Sequence, residues 1–176
     1  MTFARDTELS LLAAVSLVNS AEPPDTLTSL ADLDDFWTRF AYTGRHDRDD
    51  DELAAVRRLR PRLRELLTSE RDQAVAIVND LLERVGTTPQ LVRHDDEDWH
   101  LHVVNPDRPL AERIAVESSM AMIDVIRADE MSRLGVCAQH DCQNIVLDLS
   151  RNRSKIFCGN NCSNRAAVAA YRARQR

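Results

Sequence analysis

Four cysteines are the residues of this chain best suited to chemistry, and their spacing says which chemistry. Four residues separate Cys137 from Cys142, fifteen separate the pairs, and three separate Cys158 from Cys162. The first 136 residues contain no cysteine. Four thiolates can surround Zn2+ tetrahedrally at Zn–S distances near ~2.3 Å, provided each pair sits in a tight turn that brings its sulfurs together. The sequences inside those turns are AQHD and GNN. Gly159, Asn160 and Asn161 all tolerate left-handed backbone, so GNN is the better suited of the two to a tight turn. Four cysteines leave no coordination position for water, so the expected cofactor is one structural Zn2+ and not a catalytic one. A disulfide pair, an iron–sulfur cluster and a redox switch that releases metal under oxidant are other uses of the same thiols. His140, inside the first turn, is a candidate ligand, though a solvated side chain suits its polar surroundings better.

The elements that must position these thiols are short. NIVLDL and KIF read as two strands joined by SRNRS, with Cys162 opening the final helix. A knuckle, a hairpin and a helix whose first turn supplies ligands resembles a treble-clef zinc finger. Val136, Ile145, Val146, Leu147, Leu149, Ile156 and Phe157 are its main apolar side chains before the helix. That is too few for a core, so the metal is expected to supply most of the folding energy.

Charge is distributed unevenly. The chain has a net charge of -6, but residues 1–136 hold 16 Arg and 27 acids, whereas residues 137–176 hold seven basic residues and two acids. No acid follows Asp148. A basic appendage on an acidic protein suits a polyanion. On a helical wheel Arg165, Arg172 and Arg176 form one stripe, with Arg174 on the opposite side. Val168 and Tyr171 share another face and are expected to dock on the hairpin. Arg151, Arg153 and Lys155 on the turn are placed to contact a phosphate backbone. Five such contacts would give a log–log salt dependence of about -4.5. Asn164 and Arg165 have a competing role, bracing the site through hydrogen bonds to sulfur. The plainer reading, that the arginines only keep an alanine-rich helix soluble, is disfavoured because such helices usually interleave Glu with Arg.

The remaining residues are expected to form a mainly α domain with a small β-hairpin (α+β), residues 1–134, leaving 135–176 to the finger. Hydrophobic residues make up 43% of the chain, enough for a real core. Helical stripes run through 7–19, through 30–40 behind a Ser29 cap, and through 53–66, where Pro61 predicts a kink or a break. Another stripe follows Ser69, its expected cap, and a long helix is expected over 109–134 with Asp107 as its cap. Between them QLVRH and WHLHVV alternate like a hairpin. His94, His100 and His102 beside Asp95, Asp96, Glu97 and Asp98 are candidates for a second metal site or an acid–base pair. The solvent face of a charged hairpin accounts for them better. Apolar runs are too short to span a membrane and no signal peptide is visible, which predicts a soluble cytoplasmic protein. No nucleophile motif, phosphate loop or paired carboxylate stands out, so no enzymatic activity is expected.

The order of the C-terminal motifs resembles one family. Bacterial CGNR zinc fingers carry a cysteine pair, a D-x-S-R-N segment, an aromatic–Cys step and a C-G-N-R box before a basic helix. Here these are Cys137 and Cys142; Asp148, Ser150, Arg151 and Asn152; Phe157–Cys158; and Cys162, Ser163, Asn164 and Arg165. Ser163 stands where the family name has Gly, and Phe157 where Trp is common. LSLLAAVSLVNS and the helix through Trp37 to Gly44 are similar to the opening of the ABATE domain, described as a stress-induced transcription regulator. The resemblance implies a DNA-binding transcriptional regulator whose N-terminal domain senses a small-molecule ligand or forms a homodimer. The alternative is a protein-interaction module in which the zinc is purely structural. Its arginines would dock an acidic partner or its own N-terminal domain.

Overall fold

The structure, a computed structural model, describes residues 3–86, 90–92 and 100–175. Six helices and two separate two-stranded sheets follow one another among these residues. Helix α1 (Arg5–Asn19) buries Leu11, Ala14, Leu17 and Val18 at helical spacing. Helix α2 (Leu30–Arg39) begins with a reciprocal capping box: the Ser29 hydroxyl takes the Asp32 N–H while the Asp32 carboxylate takes the Ser29 N–H. Helix α3 (Asp50–Thr68) is capped by Asp49, which accepts from the Glu52 N–H at 2.8 Å. Helix α4 (Arg71–Val85) ends on left-handed Gly86. Strands β1 (Gln90–Val92) and β2 (His100–His102) pair antiparallel with Val92 opposite His100, and α5 (Leu110–Arg127) follows. His94, Asp95, Asp96, Glu97 and Asp98, and the side chains of His100 and His102, lie outside the described residues.

α5 is the central helix, packed mainly on α1 and α4 and also on α3. Leu110, Ile114, Met122 and Val125 meet Leu11, Leu17, Leu63 and Leu66 in one continuous cluster, all fully buried. Two straps tie loops to this core. Arg60, 6% exposed, donates to both oxygens of Asp25 at 2.8 and 3.1 Å and to the Leu27 carbonyl, pinning the 20–27 loop on α3. Gly44, at φ 85, lies against Pro106, and the neighbouring Arg45 N–H bonds the Pro106 carbonyl at 2.8 Å.

Several sequence expectations are corrected. α3 is one helix through Pro61 and not two shorter ones. Pro61 is exposed, as is Arg57, whose carbonyl loses its helical donor, and the buried stripe of Leu53, Val56, Leu63 and Leu66 continues on both sides. Ser69 does not cap α4. Its hydroxyl bonds back to the Glu65 carbonyl, and Glu70 occupies the cap position. Pro109, not Asp107, precedes α5. That helix stops at Arg127, where Asp129 turns left-handed at φ 57, so it does not reach Cys137. A short 3-10 turn (Met131–Arg133) leads instead into β3 (Leu134–Val136), which pairs with β4 (Ile145–Leu147). The KIF segment is not a strand. One backbone bond, Ala138 N–H to the Ile156 carbonyl at 2.8 Å, joins it to the first turn. The chain ends in α6 (Asn160–Arg174).

Candidate metal centre and basic helix

The first cysteine pair sits in the loop of the β3–β4 hairpin. Leu134 lies opposite Leu147 and Val136 opposite Ile145, and the Cys137 N–H extends the ladder to the Asn144 carbonyl at 2.8 Å. The Cys142 N–H closes the turn on the Gln139 carbonyl at 2.9 Å. His140 has a side chain 85% exposed and is not among the converging ligands. The second pair opens α6. Gly159 is extended (φ -171) and Asn160 and Asn161 are already helical, so the GNN turn is made without a left-handed residue. Cys162 then falls in the first helical turn, facing inward.

All four sulfurs lie within 4.8 Å of one another. Cys142 and Cys158 are 3.7 Å apart, and Cys158 and Cys162 3.6 Å. A zinc tetrahedron with ~2.3 Å bonds has edges near ~3.8 Å, whereas a disulfide brings sulfurs to ~2.05 Å. The thiols are therefore unbonded to one another, and their spacing fits one ion. An iron–sulfur cluster would hold its cysteines farther apart, because irons and sulfides lie between them. The donor set supports the same conclusion. Shared hydrogen bonds with Cys158, then burial, push the Cys162 thiol up to about 12. Burial, chiefly, also raises Cys142. Burial opposes ionisation of Cys137, but N–H groups of Gln139 and Cys158 outweigh it and lower that thiol. Four thiolates cannot ionise side by side without a cation among them, and a dication relieves this directly. The site thus accommodates one structural Zn2+.

Neighbouring groups fix these ligands. The Cys158 N–H points at the Cys137 sulfur at 3.4 Å, and Asn144 Nδ2 donates to the Cys158 sulfur at 3.4 Å. Asn164 is exposed and makes no sulfur contact among the described residues, so the bracing amide comes from Asn144. Its signal in the sequence was only its place two residues after Cys142. Around the ligands Val146 and Phe157 complete a small apolar cluster.

A second group missed by sequence reading shapes the loop before α6. Arg133, 6% exposed, donates to Glu130 and to the carbonyls of Asp148 and Ser150 at 2.9 and 3.0 Å. The buried Asp148 carboxylate accepts the N–H groups of Ser150 (2.8 Å) and Lys155 (2.7 Å). The Ser150 hydrogen bonds and the Lys155 N–H outweigh burial and hold its carboxyl below the usual range. This closes the D-x-S-R-N segment into a loop with Arg151 and Asn152 exposed at its tip.

The predicted nucleic-acid contacts divide accordingly. Arg153 donates to Glu130 at 2.8 Å, Lys155 Nζ to the Leu147 carbonyl at 3.2 Å, and Arg165 pairs with Asp141. The side chains of Arg151, Arg172 and Arg174 are exposed and have no ion pair among the described residues. Arg176 lies outside the described residues. Val168 and Tyr171, expected to dock on the hairpin, are 48% and 58% exposed. Only Cys162 of α6 is buried, so the helix leaves the metal centre without a packed face.

Helical bundle, docked four-thiol finger and projecting basic helix define the class: a zinc-finger protein with an N-terminal helical domain. The family model described as "Putative stress-induced transcription regulator" (ABATE) matches residues 12–129, and the CGNR zinc finger model matches residues 133–175. The chain belongs to the ABATE family and carries a CGNR zinc finger. No curated protein matches it. No helix among the described residues is long and apolar enough to cross a membrane.

Proposed function

We propose that the protein is a non-enzymatic transcription regulator of the cytoplasm that binds duplex DNA through α6 and the Arg151 loop. The observation that carries this reading is α6 itself. It bears Arg165, Arg172 and Arg174 and no acid, and no residue beyond its first turn is buried. An isolated helix of that length is marginal in water, so a rigid anchor at its N-terminus and a polyanion along its side both stabilise it. Guanidinium groups suit phosphates and guanine edges. One finger makes a small footprint, so a homodimer would supply useful specificity. A cleft of about 260 Å3 beside α1 and α2, lined by Ser16, Ser20, Asp32, Asp35, Phe36 and Arg39, is the candidate place for a small-molecule ligand.

The Arg153–Glu130 and Arg165–Asp141 pairs favour a second reading, in which the arginines dock on carboxylates of a protein partner or of this chain. Zinc-loaded full-length protein titrated into labelled duplex at low salt separates the two. Binding weakened by Arg172→Ala plus Arg174→Ala supports the DNA reading, and no retention of duplex at low salt overturns it.

A further inference from the structure

The finger meets the helical domain chiefly through β4, which is buried along its length and packs on α1 and α3, while β3 also reaches α3. Ile145 and Leu147 belong to the helical core, while Val146 packs with Cys137 and Cys162. The ladder to β3 uses the Asn144 carbonyl, which receives the Cys137 N–H. Antiparallel strands alternate the side to which successive residues present their backbone groups, and Ile145 turns both of its groups away from β3. They meet the side chain of Asn19, the last residue of α1. Asn19 Oδ1 accepts the Ile145 N–H at 2.6 Å and Nδ2 donates to the Ile145 carbonyl at 2.9 Å. On the other side of Asn144, Arg64 of α3 donates to the Gln143 carbonyl at 2.8 Å and pairs with Glu22.

Asn144 is therefore held between two anchors from the helical domain. Its backbone binds Cys137 and its side chain binds Cys158, one cysteine from each pair. We propose that Asn19 is a positioning residue of the metal centre, fixing Asn144 through Ile145 so that metal affinity is set in part by the end of α1. Residues that orient metal ligands from outside the coordination sphere typically change affinity ten- to a hundredfold. The linkage is reciprocal. A shift of α1 or of the loop after it reaches the sulfurs, and metal loading stiffens the helical core. This rests on the zinc reading of the four cysteines and is independent of DNA binding.

The test uses the full chain, with zinc affinity measured by competition against a chromophoric chelator. Co2+ in place of zinc gives thiolate charge-transfer and ligand-field bands that report site geometry. Asn19→Ala is expected to weaken zinc about tenfold and shift the cobalt bands. Asn19→Asp, which keeps the acceptor for the Ile145 N–H, should recover part of the loss. Leu33→Ala, a fully buried core truncation in α2, should lower Tm and leave zinc affinity and spectrum unchanged. Should Asn19→Ala not fold, Arg64→Met removes the second anchor and is expected to weaken zinc severalfold. Wild-type affinity and spectrum in the anchor variants, or an equal loss in Leu33→Ala, overturns the inference. A wild-type chain that takes up neither zinc nor cobalt overturns the metal centre and the inference with it.

Discussion

The affinity of this protein for duplex DNA should depend on salt with a log–log slope between about -2.7 and -3.6. Each phosphate neutralised contributes about -0.9 through released counterions. All seven basic residues of the last forty would give about -6.3. The structure commits three of them elsewhere: Arg153 to Glu130, Arg165 to Asp141, and Lys155 to a backbone carbonyl. An arginine that leaves a carboxylate for a phosphate returns a bare carboxylate to solvent, which takes up a cation, so the exchange adds little to the slope. Arg151, Arg172 and Arg174 remain, for about -2.7, and Arg176 would add a fourth contact. At -2.7 the affinity falls about 40-fold between 50 and 200 mM salt. Fluorescence anisotropy with a labelled duplex and zinc-loaded protein measures this. Arg172→Ala should lower the slope by about 0.9. A slope near zero, a slope steeper than about -5, or one indifferent to Arg172→Ala refutes the reasoning.

Other outcomes follow from the same geometry. Chelation of zinc should unfold the finger and α6, seen as loss of helical circular dichroism, because the apolar cluster around the sulfurs is small. The Arg60 hydrogen bond, with help from Leu27 and Arg57 and against burial, lowers the Asp25 carboxyl to about 2. A depressed folded-state value stabilises the fold above the unfolded value near ~3.9 and loses that contribution as pH falls toward 2. Asp25→Asn should therefore cost up to about 2 kcal/mol at neutral pH and flatten the acid limb of the stability curve between about pH 4 and 2. In Gly44→Ala the new Cβ would lie 2.5 Å from the Pro106 carbonyl oxygen at φ +85. A loss of more than about 1 kcal/mol in denaturant unfolding is expected. Arg133→Ala leaves the Asp148 and Ser150 carbonyls without this donor and Glu130 with Arg153 alone. It should destabilise by about 3 kcal/mol in the same assay.

The metal ligands were legible because four cysteines at that spacing have few other uses, and the helices because their apolar stripes repeat at helical period. The Ser29 cap was legible ahead of its apolar stripe, and the structure adds the reciprocal Asp32 contact that makes it a capping box. What escaped was set by tertiary context. The helix expected to run to Leu134 stops at Arg127, before left-handed Asp129, and Leu134 pairs with Leu147 of β4 instead. Lys155, Ile156 and Phe157 look like a strand, but the Asp148 carboxylate takes the Lys155 N–H and shapes a loop. Asn19 gives no local sign of its role, since its partner is 126 residues away. The sequence sorted the finger's arginines by helix face and turn, but only the positions of Glu130 and Asp141 show that Arg153 and Arg165 are ion-paired.

The most direct test of the account is duplex binding by the full chain with one equivalent of zinc and again after chelation, by anisotropy at low salt. The account predicts binding with zinc and its loss without. Equal binding in both states, or binding in neither, contradicts it.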